Sequence, residues 1–319
     1  MAQPTRNRPP VVVVTGPTAC GKTGLAIEIA TRFGGEVINA DSMQVYRYMD
    51  IGTAKPSLEE RARVPHHLFD VVTPDRPYNA GSYVRDARAA AEAIAGRGRL
   101  IVLAGGTGLY IRTFLHGLVE VGGADPELRE RLEAEHATAV ADGDPGRLHR
   151  RLEKLDPEAA ARIHPNDLVR IVRALEIAEV GRRTASEARS GHAFADEPYR
   201  ALHLAFDPGV EPLIERIDRR CHEMIEAGLL REVRDLRERG YGPELKPMQA
   251  IGYRHIQPVV DGLDTLANAE EAMKRDTRRF AKRQRTWLRA VPEAVWLDPS
   301  ALDPVLKRVE GFLENGAEG

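Results

Sequence analysis

The chain has 319 residues and a formal net charge of -2, so its length allows one large domain or two smaller ones and its charge identifies no partner. Two cysteines, Cys20 and Cys221, are too few for a disulfide scaffold or a four-cysteine zinc site, and they predict a reducing, cytoplasmic compartment. No apolar run is long enough to span a bilayer, and residues 1–10 lack an apolar stretch of the signal-peptide type, so no membrane partner is expected.

The first elements follow a strand–helix–strand pattern. Residues 11–15 are a short β-branched run, which predicts a strand buried on both faces of a parallel sheet. Residues 22–33 have apolar side chains at helical spacing, and two glycines at 34 and 35 end that helix. A second short strand is expected at 36–40, directly before Asp41, and we expect it to neighbour the first strand.

A glycine-rich turn joins the first strand to the first helix. Its sequence, Gly-Pro-Thr-Ala-Cys-Gly-Lys-Thr, fits the G-x-x-x-x-G-K-[ST] pattern in the structural context that this pattern requires. Backbone N–H groups and the helix N-terminus can hold phosphate oxygens, while Lys22 can neutralise their charge and the Thr23 hydroxyl can bind Mg²⁺. The alternative is an ordinary turn with an exposed lysine. We expect a diphosphate or triphosphate to bind at Gly16, Pro17, Thr18, Ala19, Cys20, Gly21, Lys22 and Thr23.

The remaining pattern predicts one sheet interrupted by helices. An alanine-rich helix at 82–95 precedes a buried strand at 100–104, and a further strand is expected at 201–206. From about 125 to 189, charged and apolar residues alternate at helical spacing, and the chain after 209 is expected to be mostly helical. We predict an α/β fold with a P-loop open parallel sheet core, formed by 1–121 and 201–319 with its C-terminal helices, and an inserted all-helical domain at 122–200.

Six motifs follow one another in the order found in a known family. The chain resembles the bacterial tRNA dimethylallyltransferases, also called tRNA isopentenyltransferases, which lack the C-terminal zinc finger of their eukaryotic relatives. The matching segments are 16–23, Asn-Ala-Asp-Ser-Met-Gln-Val-Tyr-Arg at 39–47 with its continuation to 56, Gly-Gly-Thr-Gly-Leu-Tyr at 105–110, 163–176, Gln-Ala-Ile-Gly-Tyr-Arg at 249–254 and Lys-Arg-Gln-Arg-Thr-Trp at 282–287. Two residues depart from the family pattern, since Cys20 replaces a usual serine and Tyr48 a common glycine.

The resemblance implies a specific reaction. The dimethylallyl group of dimethylallyl diphosphate, bound with Mg²⁺, would pass to the 6-amino group of the adenosine on the 3′ side of the anticodon. Asp41 is the expected general base, because ligands of open α/β folds bind at the carboxyl edge of the sheet, although it could instead cap the next segment or bind Mg²⁺ through water. Lys22 and Arg220 would hold the leaving diphosphate, and Thr107 would contact the diphosphate or the nucleotide. A turn residue for Thr107 and a solvated surface arginine for Arg220 are the alternatives.

The tRNA contacts are expected from several segments. The target adenine must leave its stacked position, and the side chains that would receive it are Asp41, Ser42, Met43, Gln44 and Thr107. By resemblance, two further segments meet the tRNA: Val169, Arg170, Ile171, Val172 and Arg173, and Gln249, Ala250, Ile251, Gly252, Tyr253 and Arg254. Residues 274–289 contain eight Lys or Arg and one acid, so a cationic helix with Arg278 and Lys282 is expected to contact RNA phosphates. The alternatives are a solvated charged face there and ion pairs of Arg170 and Arg173 with Asp167 or Glu176.

Three other functions share part of this pattern. A small-molecule kinase would use ATP, and an RNA-dependent ATPase would need a strand-end acidic pair that the sequence does not show. An adenylate isopentenyltransferase would share the early motifs but modify free nucleotides, whereas the helical insertion and the cationic helix favour tRNA. His66 and His67 have no third ligand at useful spacing, and exposed or packed histidines are expected there. Nothing in the sequence indicates an obligate dimer, so a monomer is expected.

Overall fold

The strands of the computed structural model, which describes residues 8–118, 125–180, 184–187 and 197–315, form one parallel sheet. In chain order they are β1 (Pro10–Thr15), β2 (Gly35–Asn39), β3 (His66–His67), β4 (Leu100–Gly105), β5 (Arg200–Phe206) and β6 (Val295–Leu297). Within the described residues the six strands are arranged as β3-β2-β4-β1-β5-β6, and every neighbouring pair is parallel. The predicted α/β class with a parallel sheet is confirmed.

Helices fill most of the chain between and after the strands. They are α1 (Lys22–Phe33), α2 (Leu58–Arg63), α3 (Ala80–Gly96), α4 (Gly108–His116), α5 (Pro126–Ala141), α6 (Arg147–Leu155), α7 (Pro157–Arg162), α8 (Leu168–Val180), α9 (Val210–Glu226), α10 (Leu229–Glu238), α11 (Tyr253–Val260), α12 (Leu266–Arg289) and α13 (Leu302–Glu314). A 3-10 turn covers Lys246–Gln249. No helix in the described part of the chain is both long and apolar enough to cross a bilayer.

The run of valines in β1 is buried on both faces of the sheet, as its composition predicts. Val12 and Val14 pack in one cluster with α1 and α13, whereas Val11 and Val13 pack in another with α3 and α4. The two sets separate because successive side chains of a strand point to opposite faces. Helices on both faces therefore leave the strand ends as the exposed edge of the core. The glycine-rich turn at residues 16–23, called the phosphate loop, follows β1 at that edge.

The strand order corrects one expectation from the sequence. β2, which ends just before Asp41, does not neighbour β1, because β4 lies between them and pairs with both. Chain proximity indicates that β1 and β2 share a sheet, but packing decides the order, and the apolar β4 takes the place between them. Two further strands, β3 and β6, are not predicted from the sequence. They have only two and three residues and lie at the sheet edges.

The chain divides into two compact units, one formed by Met1–His116 with Glu197–Gly319 and the other by Gly117–Asp196. The second unit contains α5 to α8, and its core includes Leu128, Leu132, Leu148, Leu152 and Leu175. The sequence predicts an inserted domain at 122–200, and the starting residue of that range lies outside the described residues. The role of this unit in contacting tRNA stays a prediction.

A buried histidine occupies the middle of β5. His203 is 2% exposed and pairs in register with Val13 of β1. Among the described residues, neither of its ring nitrogens has a hydrogen-bond partner. Burial lowers the pKa of His203 to about 4, and the negative charge of the Glu293 carboxylate opposes this effect.

We expect acid to destabilise the fold through His203. The unfolded chain binds a proton below its ordinary pKa of 6.5, whereas the folded chain does so only near 4, so stability falls as the pH drops through this window. Between pH 7 and pH 4.5 the difference corresponds to a loss of about 2 kcal/mol of unfolding free energy. Denaturant unfolding at pH 7 and pH 4.5 measures it, and His203→Leu should lose less stability between these pH values than the wild type. Equal losses in both proteins would contradict the assignment.

Candidate active site

The phosphate loop adopts a conformation that its glycines make possible. Gly21 lies just before α1 with φ of 92°, a left-handed value that favours glycine. Gly16 is required by close packing, because a Cβ there would lie 2.5 Å from the Cys20 Sγ. The Lys22 Nζ lies 3.4 Å from the Pro17 carbonyl oxygen, so the lysine folds back over the loop.

Cys20 is the one departure from the family pattern within this loop. Its side chain is fully buried, and it is not among the residues that line the cavity beside the loop. Its carbonyl oxygen accepts a hydrogen bond from Arg216 Nη1 at 3.4 Å. A serine hydroxyl at this buried position would likewise lie away from the cavity, so we expect the substitution to have little effect.

Asp41 and Thr107 meet at the carboxyl ends of β2 and β4. The Thr107 N–H donates to the Ala40 carbonyl oxygen at 3.1 Å, and the Thr107 Oγ1 accepts from the Ser42 N–H at 3.0 Å. The Asp41 Oδ1 accepts from the Met43 N–H at 2.8 Å. The two turns can come this close because a Cβ at Gly105 would overlap Ala40. One carboxylate oxygen is therefore held by the backbone, which fixes the direction of the other.

Arg220 approaches the same place from α9. Burial lowers its pKa, and the negative charge of Asp41 opposes this effect. Among the described residues, no side chain or carbonyl forms a hydrogen bond or an ion pair with the Arg220 guanidinium. A partly buried cation without a protein partner is suited to bind an anion. The preceding Arg219 is exposed and lies 3.7 Å from Glu223, so its charge, unlike that of Arg220, has a partner within the described part of the protein.

Two cavities of the first unit meet at these residues. The first, of about 710 Å³, is lined by the phosphate loop and by a row of cations that includes Lys22, Arg216, Arg219 and Arg220. The second, of about 370 Å³, is lined by Ser42, Met43, Thr107, Ile217, Tyr253, Met273, Thr277 and Phe280, among others. The residues common to both are Thr18, Ala19, Asp41, Thr53 and Arg220. An anionic group in one cavity and an uncharged group in the other would therefore meet at Asp41 and Arg220.

Arg216 is not among the residues predicted from the sequence, although a signal for it is present. Arg216 and Arg220 are four residues apart on α9, and residues at this spacing share a helix face. If Arg220 lies beside the phosphate loop, Arg216 must lie beside that loop as well, because both side chains are on the same face of α9. Glu232 was also missed, because no local pattern predicts its partners. Its carboxylate accepts hydrogen bonds from three consecutive N–H groups, those of Asp50, Ile51 and Gly52.

The predicted segment 249–254 lies against the second cavity. All of its residues except Gly252 line that cavity: Gln249, Ala250, Ile251, Tyr253 and Arg254. The Tyr253 side chain is buried, and its hydroxyl donates to Glu232 Oε1 at 2.6 Å. Arg254 Nη2 donates to Asp276 Oδ2 at 2.6 Å. The segment thus builds the wall of the cavity, and a direct contact of these side chains with tRNA stays a prediction.

The predicted segment 169–173 belongs to the helical unit, on α8. Ile171 and Val172 are buried in the core of that unit, so Val169, Arg170 and Arg173 are the members with side chains at its surface. The ion pairs considered from the sequence are present. Arg170 Nε lies 3.4 Å from Asp167 Oδ2, and Arg173 Nη1 lies 2.6 Å from Glu176 Oε2.

The cationic helix is α12, and part of its charge is neutralised by acids from elsewhere in the chain. Arg278 forms a two-point ion pair with Asp218, with 2.8 Å from Nε to Oδ1, and Arg285 Nε lies 2.7 Å from Asp207 Oδ2. Lys274 pairs with two glutamates one turn earlier. The exposed cations Arg275, Lys282, Arg283 and Arg289 form no ion pair within the described residues. Of the two residues predicted to contact RNA phosphates, Lys282 is therefore free to do so, whereas Arg278 is already paired with Asp218.

The acidic and histidine side chains do not assemble a metal site by themselves. In the described part of the chain, no group of three or more His, Cys, Asp or Glu converges as metal ligands would. The His67 Nε2 is hydrogen-bonded to Glu36 Oε2 at 2.7 Å, and the His66 Nδ1 to the Val64 carbonyl oxygen at 2.7 Å. Thr23 lines the first cavity at the start of α1.

Comparison with known proteins agrees with this arrangement. The model of the IPP transferase family matches residues 44–291, and that of the isopentenyl transferases matches residues 9–68. A tRNA dimethylallyltransferase of Desulfosudis oleivorans is 50% identical over 97% of this chain and 98% of its own. The chain belongs to the tRNA dimethylallyltransferase family. Another member, from Geobacter metallireducens, is 49% identical over 95% of this chain and 97% of its own.

Solved structures of this family share the fold. The tRNA isopentenylpyrophosphate transferase of Bacillus halodurans is 37% identical, with a TM-score of 0.71 over 98% of each chain. A eukaryotic dimethylallyltransferase acting on tRNA is 32% identical, with a TM-score of 0.78 over 91% of this chain and 74% of its own. The family membership predicted from the six motifs is confirmed. Like its relatives, this member of the tRNA dimethylallyltransferases is an α/β protein.

Proposed function

We propose that this protein transfers the dimethylallyl group of dimethylallyl diphosphate to the 6-amino group of the adenosine on the 3′ side of the anticodon in tRNA, releasing diphosphate. One observation carries the proposal. A cationic cavity beside the phosphate loop and a less polar cavity share Asp41 and Arg220, so two different substrates can meet at a carboxylate. The relatives are dimethylallyltransferases that act on tRNA, which supports the donor group and the class of acceptor in this proposal. We expect a monomer that works in the cytoplasm.

The diphosphate would occupy the first cavity. The loop N–H groups, Lys22 and Arg220 would stabilise the charge that develops on it as it leaves. Thr23 lines this cavity, and in phosphate loops the hydroxyl at this position binds Mg²⁺ together with phosphate and water oxygens, so Thr23 and the diphosphate together would suit this ion. When bound, Mg²⁺ would supply further neutralisation of the diphosphate charge.

The adenine would enter the second cavity. Flipping a base out of an anticodon loop costs a few kcal/mol, and a partly apolar cavity with Ser42 and Thr107 at its edge can compensate. The bond between the allylic carbon and the diphosphate oxygen breaks, and a bond from that carbon to the 6-amino nitrogen forms. The diphosphate leaves with the electron pair, and the amino proton passes to the free oxygen of Asp41.

A free adenosine nucleotide is the second candidate acceptor, because residues 9–68 match the isopentenyl transferase model. A transfer assay separates the two acceptors. Labelled dimethylallyl diphosphate is offered with either unmodified tRNA or AMP, and we expect label in tRNA alone. Efficient transfer to AMP but not to tRNA would overturn the proposal in favour of an adenylate isopentenyltransferase.

The exposed cations of α12 give a second test of the tRNA substrate. If they neutralise RNA phosphates, tRNA affinity must fall with salt, with a log–log slope of about −0.7 to −0.9 per phosphate. Reversing Arg275→Glu and Lys282→Glu should weaken tRNA binding and flatten the slope by about one to two. Arg278 is unsuitable for reversal, because a glutamate there would face Asp218. The measurement is the tRNA dissociation constant at several salt concentrations.

The matched control reverses two exposed cations on α13, Lys307→Glu with Arg308→Glu, which lie outside both cavities. This variant has the same net charge as the α12 variant but should keep the wild-type slope. Dimethylallyl diphosphate binding should change little in either variant. Equal slopes in both variants would remove α12 from the RNA interface.

A further inference from the structure

Gln284 connects the cationic helix α12 to two loops of the active site. It is 8% exposed, and its side chain ends between the phosphate loop and the turn that carries Thr107. The Gln284 Oε1 accepts a hydrogen bond from the Thr18 N–H at 2.8 Å. The Gln284 Nε2 donates to the Gly106 carbonyl oxygen at 3.0 Å. The Gln284 amide thus pairs with the Thr18 N–H after β1 and with the Gly106 carbonyl oxygen after β4. Only a side chain that carries both an acceptor and a donor can make these two hydrogen bonds.

Two glycines make room for this approach. A Cβ at Gly106 would overlap the Gln284 side-chain nitrogen, and a Cβ at Gly108 would overlap the Trp287 ring. Gln284 and Trp287 are three residues apart and share one face of α12. The Gly-Gly-Thr-Gly motif therefore admits the inner face of α12, and Thr107 lies between the two glycines that do so.

We propose that Gln284 is a positioning residue that sets the distance between the phosphate loop and Thr107. This role of Gln284 rests on the proposed function in one respect, namely that diphosphate binds at the phosphate loop. The Thr18 N–H donates to Gln284, so the other amides of the loop would bind the phosphates. The Thr107 hydroxyl in turn accepts from Ser42, next to Asp41. Gln284 acts through these neighbours and touches no reacting atom.

The test removes both hydrogen bonds while keeping side-chain length. In Gln284→Met the Thr18 N–H and the Gly106 carbonyl lose their partner, and both loops are free to shift. A displacement of about 1 Å can lower a rate by about 10²-fold, and one lost hydrogen bond lowers affinity by about 2- to 10-fold. We expect inorganic diphosphate with Mg²⁺ to bind about 10-fold more weakly, and kcat at saturating substrates to fall by 10- to 100-fold. KM for tRNA should change little.

Gln257→Met is the matched control. Gln257 is also a buried glutamine of the same unit, on α11, with one hydrogen bond to the Met248 carbonyl oxygen, and it lines neither cavity. This variant should retain wild-type diphosphate affinity and kcat, even where its melting temperature falls as much as that of Gln284→Met. Wild-type diphosphate affinity and kcat in folded Gln284→Met would overturn the proposal, as would equal losses in both variants.

Gln284→Glu tests separately the hydrogen bond that Gln284 Nε2 donates to Gly106. This variant also keeps the proposal testable if Gln284→Met does not fold. Its carboxylate can accept from the Thr18 N–H but repels the Gly106 carbonyl until it is protonated. We expect the diphosphate affinity of Gln284→Glu, divided by that of the wild type at the same pH, to rise as the pH is lowered. An affinity ratio that does not change with pH would contradict the proposal. Because the probe is inorganic diphosphate, a failure of tRNA transfer by the wild type would remove the proposed function while leaving this inference testable.

Discussion

Replacing Asp41 by asparagine is expected to lower turnover on tRNA by about 10²- to 10⁴-fold, because the reaction loses its general base. Asparagine has nearly the same shape, and its oxygen can still accept the Met43 N–H, which Asp41 accepts at 2.8 Å. The turn after β2 should therefore keep its conformation, and tRNA affinity should change little. Single-turnover transfer at saturating substrates, measured beside the tRNA dissociation constant, gives both quantities.

Glu60→Gln is the control for Asp41→Asn. Glu60 also lines the first cavity but not the second, and its carboxylate accepts the Ser57 N–H at 2.8 Å, which a glutamine can do as well. We expect near-normal turnover from this variant. If Asp41→Asn binds tRNA far more weakly but transfers at the wild-type rate once bound, Asp41 is a binding residue and another group takes the proton.

Replacing Lys22 by alanine should lower the transfer rate by about 10²- to 10³-fold, or roughly 3–4 kcal/mol of transition-state stabilisation. Lys22 lines the cationic cavity, and within the described residues it forms no ion pair that would neutralise its charge. The alanine variant leaves charge on the departing diphosphate uncompensated. The measurement is turnover at saturating dimethylallyl diphosphate and tRNA, with circular dichroism to confirm the fold.

Lys307→Ala removes an exposed lysine from α13, which lies outside both cavities, and should leave turnover unchanged. Near-normal turnover of Lys22→Ala would contradict the assignment of the phosphate loop to the leaving group. A loss of tRNA affinity with unchanged diphosphate affinity would contradict it as well, because Lys22 would then serve the other substrate.

The phosphate loop and the fold class were predictable from the sequence because their signals are local. The β-branched run at 11–15, the glycines and lysine of 16–23 and the periodic helix that follows lie within one stretch of chain. The structure places α1 at Lys22–Phe33, the bounds that the sequence predicts, and begins β1 one residue earlier. Asp41 and Thr107 could be named because residues that follow parallel strands gather at one sheet edge.

The pairing of charges required the tertiary structure. The sequence counts eight cations and one acid in 274–289, yet Arg278 is paired with Asp218 and Arg285 with Asp207, which lie far away in the chain. Counting the cations of one helix in the sequence considers only that helix. Whether a cation is neutralised depends on the acidic side chains of all elements that pack against the helix. The exposed charge available to RNA is therefore smaller than the sequence indicates.

By itself the sequence determined that this chain is an α/β protein of the tRNA dimethylallyltransferase family, because motifs and periodicity are written in neighbouring residues. The tertiary structure alone decided that β4 separates β1 from β2, that Arg216 reaches the phosphate loop, and that Gln284 connects this loop to the Thr107 turn. Gln284 and Thr18 are 266 positions apart. Contacts at such separation arise from the packing of helices against the sheet, and no spacing rule along the chain encodes them.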